Sequence, residues 1–290
     1  MIKKFFKFII NEFLYNGHFQ TLGSLSIIIF SSILLKIKIT WDILLIVYIA
    51  FYLIYLHDRY QNIDIDSLTN QTRSQHLKII YKYIPFILII GLFALLTLLL
   101  YFSNKQSILF VILIVLFGFL YPIYFKKLTK KIPLFKNFYV ASVFALLVLL
   151  PIIYYSVAIN NTMAKILSII FLFTFIRALM MQFFLDIKDF EGDKKLGFLT
   201  LCILRGKDEV YSIINIINFL SIIYLLYFLT YISNELLLLS MPIILLPLWS
   251  SYYFQLTKKG NYLGFVLGSG EFVYWLIFIY LGEILIRIMS

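Results

Sequence analysis

Residues 184–201 read FLDIKDFEGDKKLGFLTL. They close a long apolar run and place Asp186, Asp189, Glu191 and Asp193 within eight residues, in a chain of formal net charge +11. Asp186, Asp189 and Asp193 are spaced i, i+3, i+7, so on a helix they share one face. Bare carboxylates on one face repel each other, and a divalent cation between them relieves the repulsion. An oxygen-only donor set without Cys or His suits Mg²⁺, which takes one or two carboxylates and completes its shell with water and phosphate oxygens. The plain alternative is a solvated acidic loop at a helix end.

What precedes the stretch decides the class. Hydrophobic residues make up 62% of the 290 and charged residues 13%, with a mean hydropathy of +0.97. Soluble domains run near 45–50% apolar and about 25% charged. The chain therefore reads as an all-α polytopic membrane protein, one domain over residues 1–290. A helix needs about 20 apolar residues to cross the hydrocarbon core, and backbone satisfaction in lipid favours helices. Nine spans are expected: 21–37, 42–61, 82–102, 107–125, 138–157, 164–185, 210–231, 236–256 and 262–287. The lysine-bearing start, MIKKFFKFIINEFLYNGH (residues 1–18), has no cleavage-site pattern before the first run. It reads as an amphipathic segment on the cytoplasmic membrane surface or as a basic tail.

Lysine and arginine set the orientation. With the N-terminus cytoplasmic and the spans alternating, 19 of the 25 cationic residues fall on the cytoplasmic side. The same arrangement puts two longer inner loops, 58–81 and 186–209, on one face, and together they hold nine of the 14 carboxylates. The first contains HDRYQNIDID (residues 57–66), in which Asp58, Asn62 and Asp66 share a helical face and Asp64 lies off it. Two such clusters facing each other across a cavity can hold a diphosphate through bridging Mg²⁺. The single cysteine, Cys202, excludes a disulfide framework and a Cys-based metal site. Phosphate loops, zinc-type His pairs and nucleophile elbows are absent from the sequence, and the basic charge speaks for membrane orientation, with no nucleic-acid partner.

At these residues the chain resembles the UbiA superfamily of intramembrane prenyltransferases. The second family motif reads Asp-x-x-Asp-x-x-Gly-Asp, then Gly, Thr-Leu and Gly; Asp186, Asp189, Gly192, Asp193, Gly197, Thr200, Leu201 and Gly206 match it. In the first motif Asp58 takes the Asn place, Arg59 and Asn62 replace two aspartates, and Asp66 matches the last. Thr72 fits the stretch that follows, whereas Gln71, Gln75 and His76 replace its arginines and proline. The resemblance implies Mg²⁺-dependent transfer of a polyprenyl group from a polyprenyl diphosphate to an aromatic or lipid-like acceptor, among membrane lipids. It implies catalytic roles for Asp66, Asp189 and Asp193, and a metal set of Asp58, Asn62, Asp66, Asp186, Asp189 and Asp193. Arg59, Arg73, Lys136 and Lys188 are the expected diphosphate contacts, and Tyr52 and Tyr55 the expected cavity lining. The expected setting is a bacterial cytoplasmic membrane with the N-terminus and both acidic loops cytoplasmic. The other class of reading is a non-catalytic or transport-type protein that binds an isoprenoid on the same fold.

Several further residues keep two readings. Lys126, Lys127, Lys130, Lys131 and Lys136 crowd one loop, as diphosphate attractors or as positive-inside anchors. Arg177 lies mid-span and calls for a buried acid, for which Glu271 is the candidate. Asn11, Asn16 and His18 are either an acceptor dock or interfacial polar residues. The 30 Phe and 22 Tyr supply either faces for an allylic cation or lipid-facing bulk.

Overall fold

The computed structural model describes residues 2–64, 67, 71–230 and 239–289, and every regular element among them is helical. The chain opens with α1 (Ile2–Tyr15) and α2 (His18–Leu34), bent by 53° at a break centred on Gly17. Gly17 has φ 102°, and a Cβ on it would lie 2.7 Å from the Tyr55 Cβ of the next helix. Both the conformation and the space demand glycine. At about 21 Å, α1 is too short to cross a bilayer core of about 30 Å. It exposes Phe6, Phe8, Ile9, Ile10 and Phe13, while Glu12 Oε2 accepts a 2.8 Å hydrogen bond from His76 Nε2.

Helix α3 (Trp41–Gln61) carries the start of the first motif and ends at Asn62. Helix α4 (Gln71–Ile80) follows, then α5 (Ile84–Phe102), whose outer face of Phe86, Ile89, Phe93 and Leu100 is left for lipid. Helix α6 (Lys105–Leu120) runs on through a π-turn at Tyr121–Phe125 to a last turn at Lys126–Leu128. Pro122 has no N–H to give to the preceding turn, which accounts for the local widening. A Cβ on Gly118 would lie 2.6 Å from Ile54 Cγ1, so α6 approaches α3 as closely as a bare backbone allows.

Helix α7 (Phe135–Leu146) starts behind Leu134, a left-handed residue at φ 61°, and continues through a 3₁₀ turn before Pro151 to Tyr154. Helix α8 (Asn161–Leu196) is 36 residues long. At 1.5 Å per residue it measures about 54 Å, well beyond the hydrocarbon core, so its final turns leave the apolar zone carrying the second motif. Its ends are defined: Asn160 Oδ1 accepts from Met163 N at 2.8 Å, and Gly197 closes it at φ 69°. After α9 (Leu201–Arg205) come α10 (Lys207–Leu229), α11 (Met241–Lys258, with a 3₁₀ first turn), α12 (Leu263–Ser269) and α13 (Glu271–Met289).

The bundle packs α7 along α8, α8 on α10, α3 on α5, and α2 between α3 and α13. Its centre is aromatic: the buried Trp275 has the ring centroids of Phe30, Phe173 and Phe272 at 4.7, 5.1 and 5.2 Å. The helical bundle matches the expected class, but the span count differs. Among the described residues six helices are long and apolar enough to cross, or seven if the bent α1–α2 pair is one span. The expected span 236–256 begins inside 231–238, outside the described residues, and 262–287 is interrupted at Gly270 between α12 and α13. That break turns Glu271 inward, onto Arg177 of α8.

Candidate active site

The end of α3, the π-turn of α6, the start of α7 and the last turns of α8 surround a cavity of about 340 Å³. One end is charged: Asp58, Arg59, Asn62, Arg73, Lys126, Lys136, Asp186, Lys188, Asp189 and Asp193 all line it. The rest of the lining is mainly apolar and aromatic, with Phe51, Ile54, Val143, Phe144 and Phe272 beside Gly23, Gly118 and the partnered Glu271. Tyr55, Tyr121 and Tyr139 also line it.

The helical face predicted for the second motif is present, yet its three aspartates have different surroundings. Lys136 Nζ donates to Asp193 Oδ2 at 2.7 Å and lies 2.9 Å from Asp186 Oδ1. Asn137 Nδ2 donates to the other Asp186 oxygen at 2.7 Å. Lys136, Asp186 and Asp193 are all buried. Asp189 Oδ1 is buried without a hydrogen-bond partner, the Lys188 ammonium standing 3.6 Å off, while the side chain as a whole is 33% exposed. The lysine is held by local backbone: Leu134 N donates to Leu199 O, and Leu199 N to Thr129 O, each at 2.9 Å. The segment following the second motif thereby pins the loop that delivers Lys136.

The first motif forms a separate group. Asn62 Nδ2 donates to Asp58 Oδ1 at 2.9 Å, and Lys126 Nζ donates to Asn62 Oδ1 at 3.1 Å. Arg59 donates to Tyr15 O and, at 2.9 Å, to Gln20 Oε1, tying the α1–α2 bend to α3. Asp66 lies outside the described residues. Among the described residues, no group of three or more His, Cys, Asp or Glu side chains is placed to hold a metal. Lysine and asparagine side chains instead take up oxygens of Asp58, Asp186 and Asp193.

Tyr55 lines the cavity as expected, but Tyr52 does not; its ring stacks on His18 at 4.4 Å, and His18 shares a 2.7 Å hydrogen bond with Tyr48. His18 thus belongs to an aromatic ladder beside α3. Sequence reasoning missed Tyr121, Tyr139 and Asn137, and left Lys126 between anchor and ligand. The π-turn proline and the Lys-Asn pair opening α7 were the available signals. Arg177 meets the predicted Glu271, and its other donors reach Asn218 Oδ1 at 2.6 Å and Ser250 Oγ. Tyr253 Oη completes the group by donating to Glu271 Oε2 at 2.5 Å. With every charge partnered, this buried network is satisfied without a ligand, and its Glu271 also lines the cavity. Cys202 is buried on α9, and burial, with Asp186 adding to it, pushes its thiol up to about 11, which leaves it unreactive at neutral pH.

A sequence model of the UbiA prenyltransferase family matches residues 24–263. The chain belongs to that family. Solved UbiA-type structures share the fold. The apo structure of a UbiA homologue from Aeropyrum pernix K1 has a TM-score of 0.70 at 14% identity, over 92% of this chain and 98% of that one. A UbiA homologue from Archaeoglobus fulgidus bound to GPP and Mg²⁺ has a TM-score of 0.66 at 13% identity, over 94% and 99%. A digeranylgeranylglyceryl phosphate synthase in membranes has a TM-score of 0.57 at 21% identity, over 96% and 98%. No curated protein matches the sequence. This UbiA chain is an integral membrane protein with several apolar helices long enough to cross a bilayer.

The residues present fit a magnesium ion in one respect that can be read directly. Asp189 is a hard oxygen donor on the cavity wall whose Oδ1 lacks any hydrogen-bond partner. Mg²⁺ asks for one or two such carboxylates and takes the remainder of its shell from water and phosphate.

Proposed function

We propose that the chain transfers a polyprenyl group from a polyprenyl diphosphate to an acceptor inside the membrane. The observation that carries this reading is the polarity of the single cavity described above. An unsaturated carboxylate and several cations sit at one end, and an aromatic, apolar pocket at the other. That is the shape of a molecule with a charged head and an isoprenoid tail. The UbiA homologue bound to GPP and Mg²⁺ supports it.

In this reading Arg73, Lys126 and Lys188 take the diphosphate oxygens, with charge the compact ammonium and forked guanidinium groups are suited to deliver. Asp189, joined by Asp66 and Asp58 of the first motif, would hold Mg²⁺. When bound, the ion neutralises charge that builds on the departing diphosphate. The donor's C1–O bond breaks with its electron pair on the diphosphate, and the acceptor bonds to C1 and gives up a proton. Tyr121, Phe51, Phe144 and Phe272 offer ring faces to the allylic cation and keep water from it. An aromatic ring is the favoured acceptor, and a lipid-like alcohol fits the same chemistry. The charged end faces the cytoplasm, in keeping with the distribution of lysine and arginine; the setting we infer is a bacterial cytoplasmic membrane.

A second reading, an isoprenoid-binding or transport protein without catalysis, is favoured by the first motif, where Asp58, Asn62 and Lys126 satisfy one another. The two are separated with purified protein, Mg²⁺, labelled geranylgeranyl diphosphate and a panel of aromatic and lipid-like acceptors. Pyrophosphate release that is lost in Asp189→Asn supports transfer. No release with any acceptor, while labelled donor still binds, supports the second reading.

A further inference from the structure

Resting on the prenyl-transfer reading, we propose that the Lys136 ammonium is a built-in cation standing where a metal ion would otherwise bridge Asp186 and Asp193. The second motif then binds one divalent ion, through Asp189, and not two. Lys136 Nζ is 2.7 Å from Asp193 Oδ2 and 2.9 Å from Asp186 Oδ1, so one positive atom already joins the first and last carboxylates of the motif. Both oxygens of Asp186 are taken, one by Lys136 and one by Asn137. Asp189, which lines the same cavity, is the one of the three with a buried carboxylate oxygen that lacks a hydrogen-bond partner, and a third of its side chain is exposed.

An ammonium holds oxygens at 2.7–2.9 Å here, whereas Mg²⁺ demands about 2.1 Å in near-octahedral geometry. The carboxylates are therefore held wider than a metal would hold them. Displacing the ammonium would strand a buried lysine charge, because the Lys136 side chain is only 9% exposed. The ammonium cannot wander, since the start of α7 is fixed through Leu134 to Leu199, and the Phe198 ring lies 5.9 Å from Nζ.

The test counts ions. The full chain in detergent is equilibrated with Mn²⁺ and saturating farnesyl thiodiphosphate, and bound Mn²⁺ is measured from the loss of the free-ion EPR signal. One ion per chain is expected for the wild type and for Lys136→Arg, and two for Lys136→Met, where Asp186 and Asp193 are released to a metal. The Lys136→Met/Asp186→Asn double variant removes the new bridge and returns the count to one, which separates metal capture from misfolding. Two ions in the wild type, or one in a Lys136→Met chain that keeps its cooperative melt, would overturn the assignment. No bound ion in any of them would overturn it together with the metal-dependent reading. Counts of one and two without any pyrophosphate release would support the assignment and sink the transfer reading alone.

Discussion

Asp189 owes its unpartnered oxygen to its neighbours: Lys188 stands 3.6 Å away, beyond hydrogen-bonding reach, and Lys136 is already spent on Asp186 and Asp193. Asp189→Asn removes the charge and keeps the shape, so pyrophosphate release should fall by about 10²–10³-fold with the melting temperature unchanged, the size seen when one electrostatic stabiliser of a reaction is lost. Lys126→Ala acts on the diphosphate and should raise the donor KM by about tenfold, the equivalent of one charge-assisted contact. Steady-state kinetics with labelled donor checks both. At Glu271 the expected effect is on stability. Glu271→Gln leaves the fully buried Arg177 without its anion and should cost about 3–5 kcal/mol, read as an earlier melt in detergent. The spacing of Asp186, Asp189 and Asp193 made their shared face legible in the sequence. Their separate roles were not, because Lys136 and Asn137 lie some fifty residues away, and only the packing of α7 on α8 brings them together. Tyr52 and Tyr55 show the same limit: three residues apart on α3, one meets His18 and the other the cavity.

At the scale of elements, apolar runs of about twenty residues identified the helices, and the breaks within them were harder to read. Pro122 and Pro151 lie inside continuous apolar stretches, so hydropathy passes straight over the π-turn and the 3₁₀ turn they bring. Gly270 likewise divides what reads as one long span. The α1–α2 bend is the element most sensitive to one atom. Gly17→Ala places a Cβ 2.7 Å from Tyr55 Cβ at φ 102°, which should cost about 1–3 kcal/mol and loosen the Arg59 clasp on Tyr15 and Gln20. Faster proteolysis within α1, with α8 still protected, is the expected readout. Equal protease resistance in the variant and wild type would contradict it.

For the whole molecule, composition and charge asymmetry were enough for a helical membrane bundle with its acidic loops on one face, and the family match agrees with that class. Orientation can be tested without removing the native cysteine, whose buried, high-pKa thiol should stay unlabelled at neutral pH. A cysteine placed at Lys130 should react with a membrane-impermeant maleimide only in inside-out vesicles; reaction in right-side-out vesicles would reverse the orientation. The central claim is that one cavity takes a diphosphate at its charged end and an isoprenoid tail at its aromatic end. Its most direct test is an experimental structure of the chain with Mg²⁺ and farnesyl thiodiphosphate. Diphosphate density is expected against Asp189, Lys126 and Lys188, with the tail running past Tyr121 toward Phe144 and Phe272. A diphosphate bound elsewhere, or a tail lying on the lipid-facing surface with this cavity empty, would contradict it.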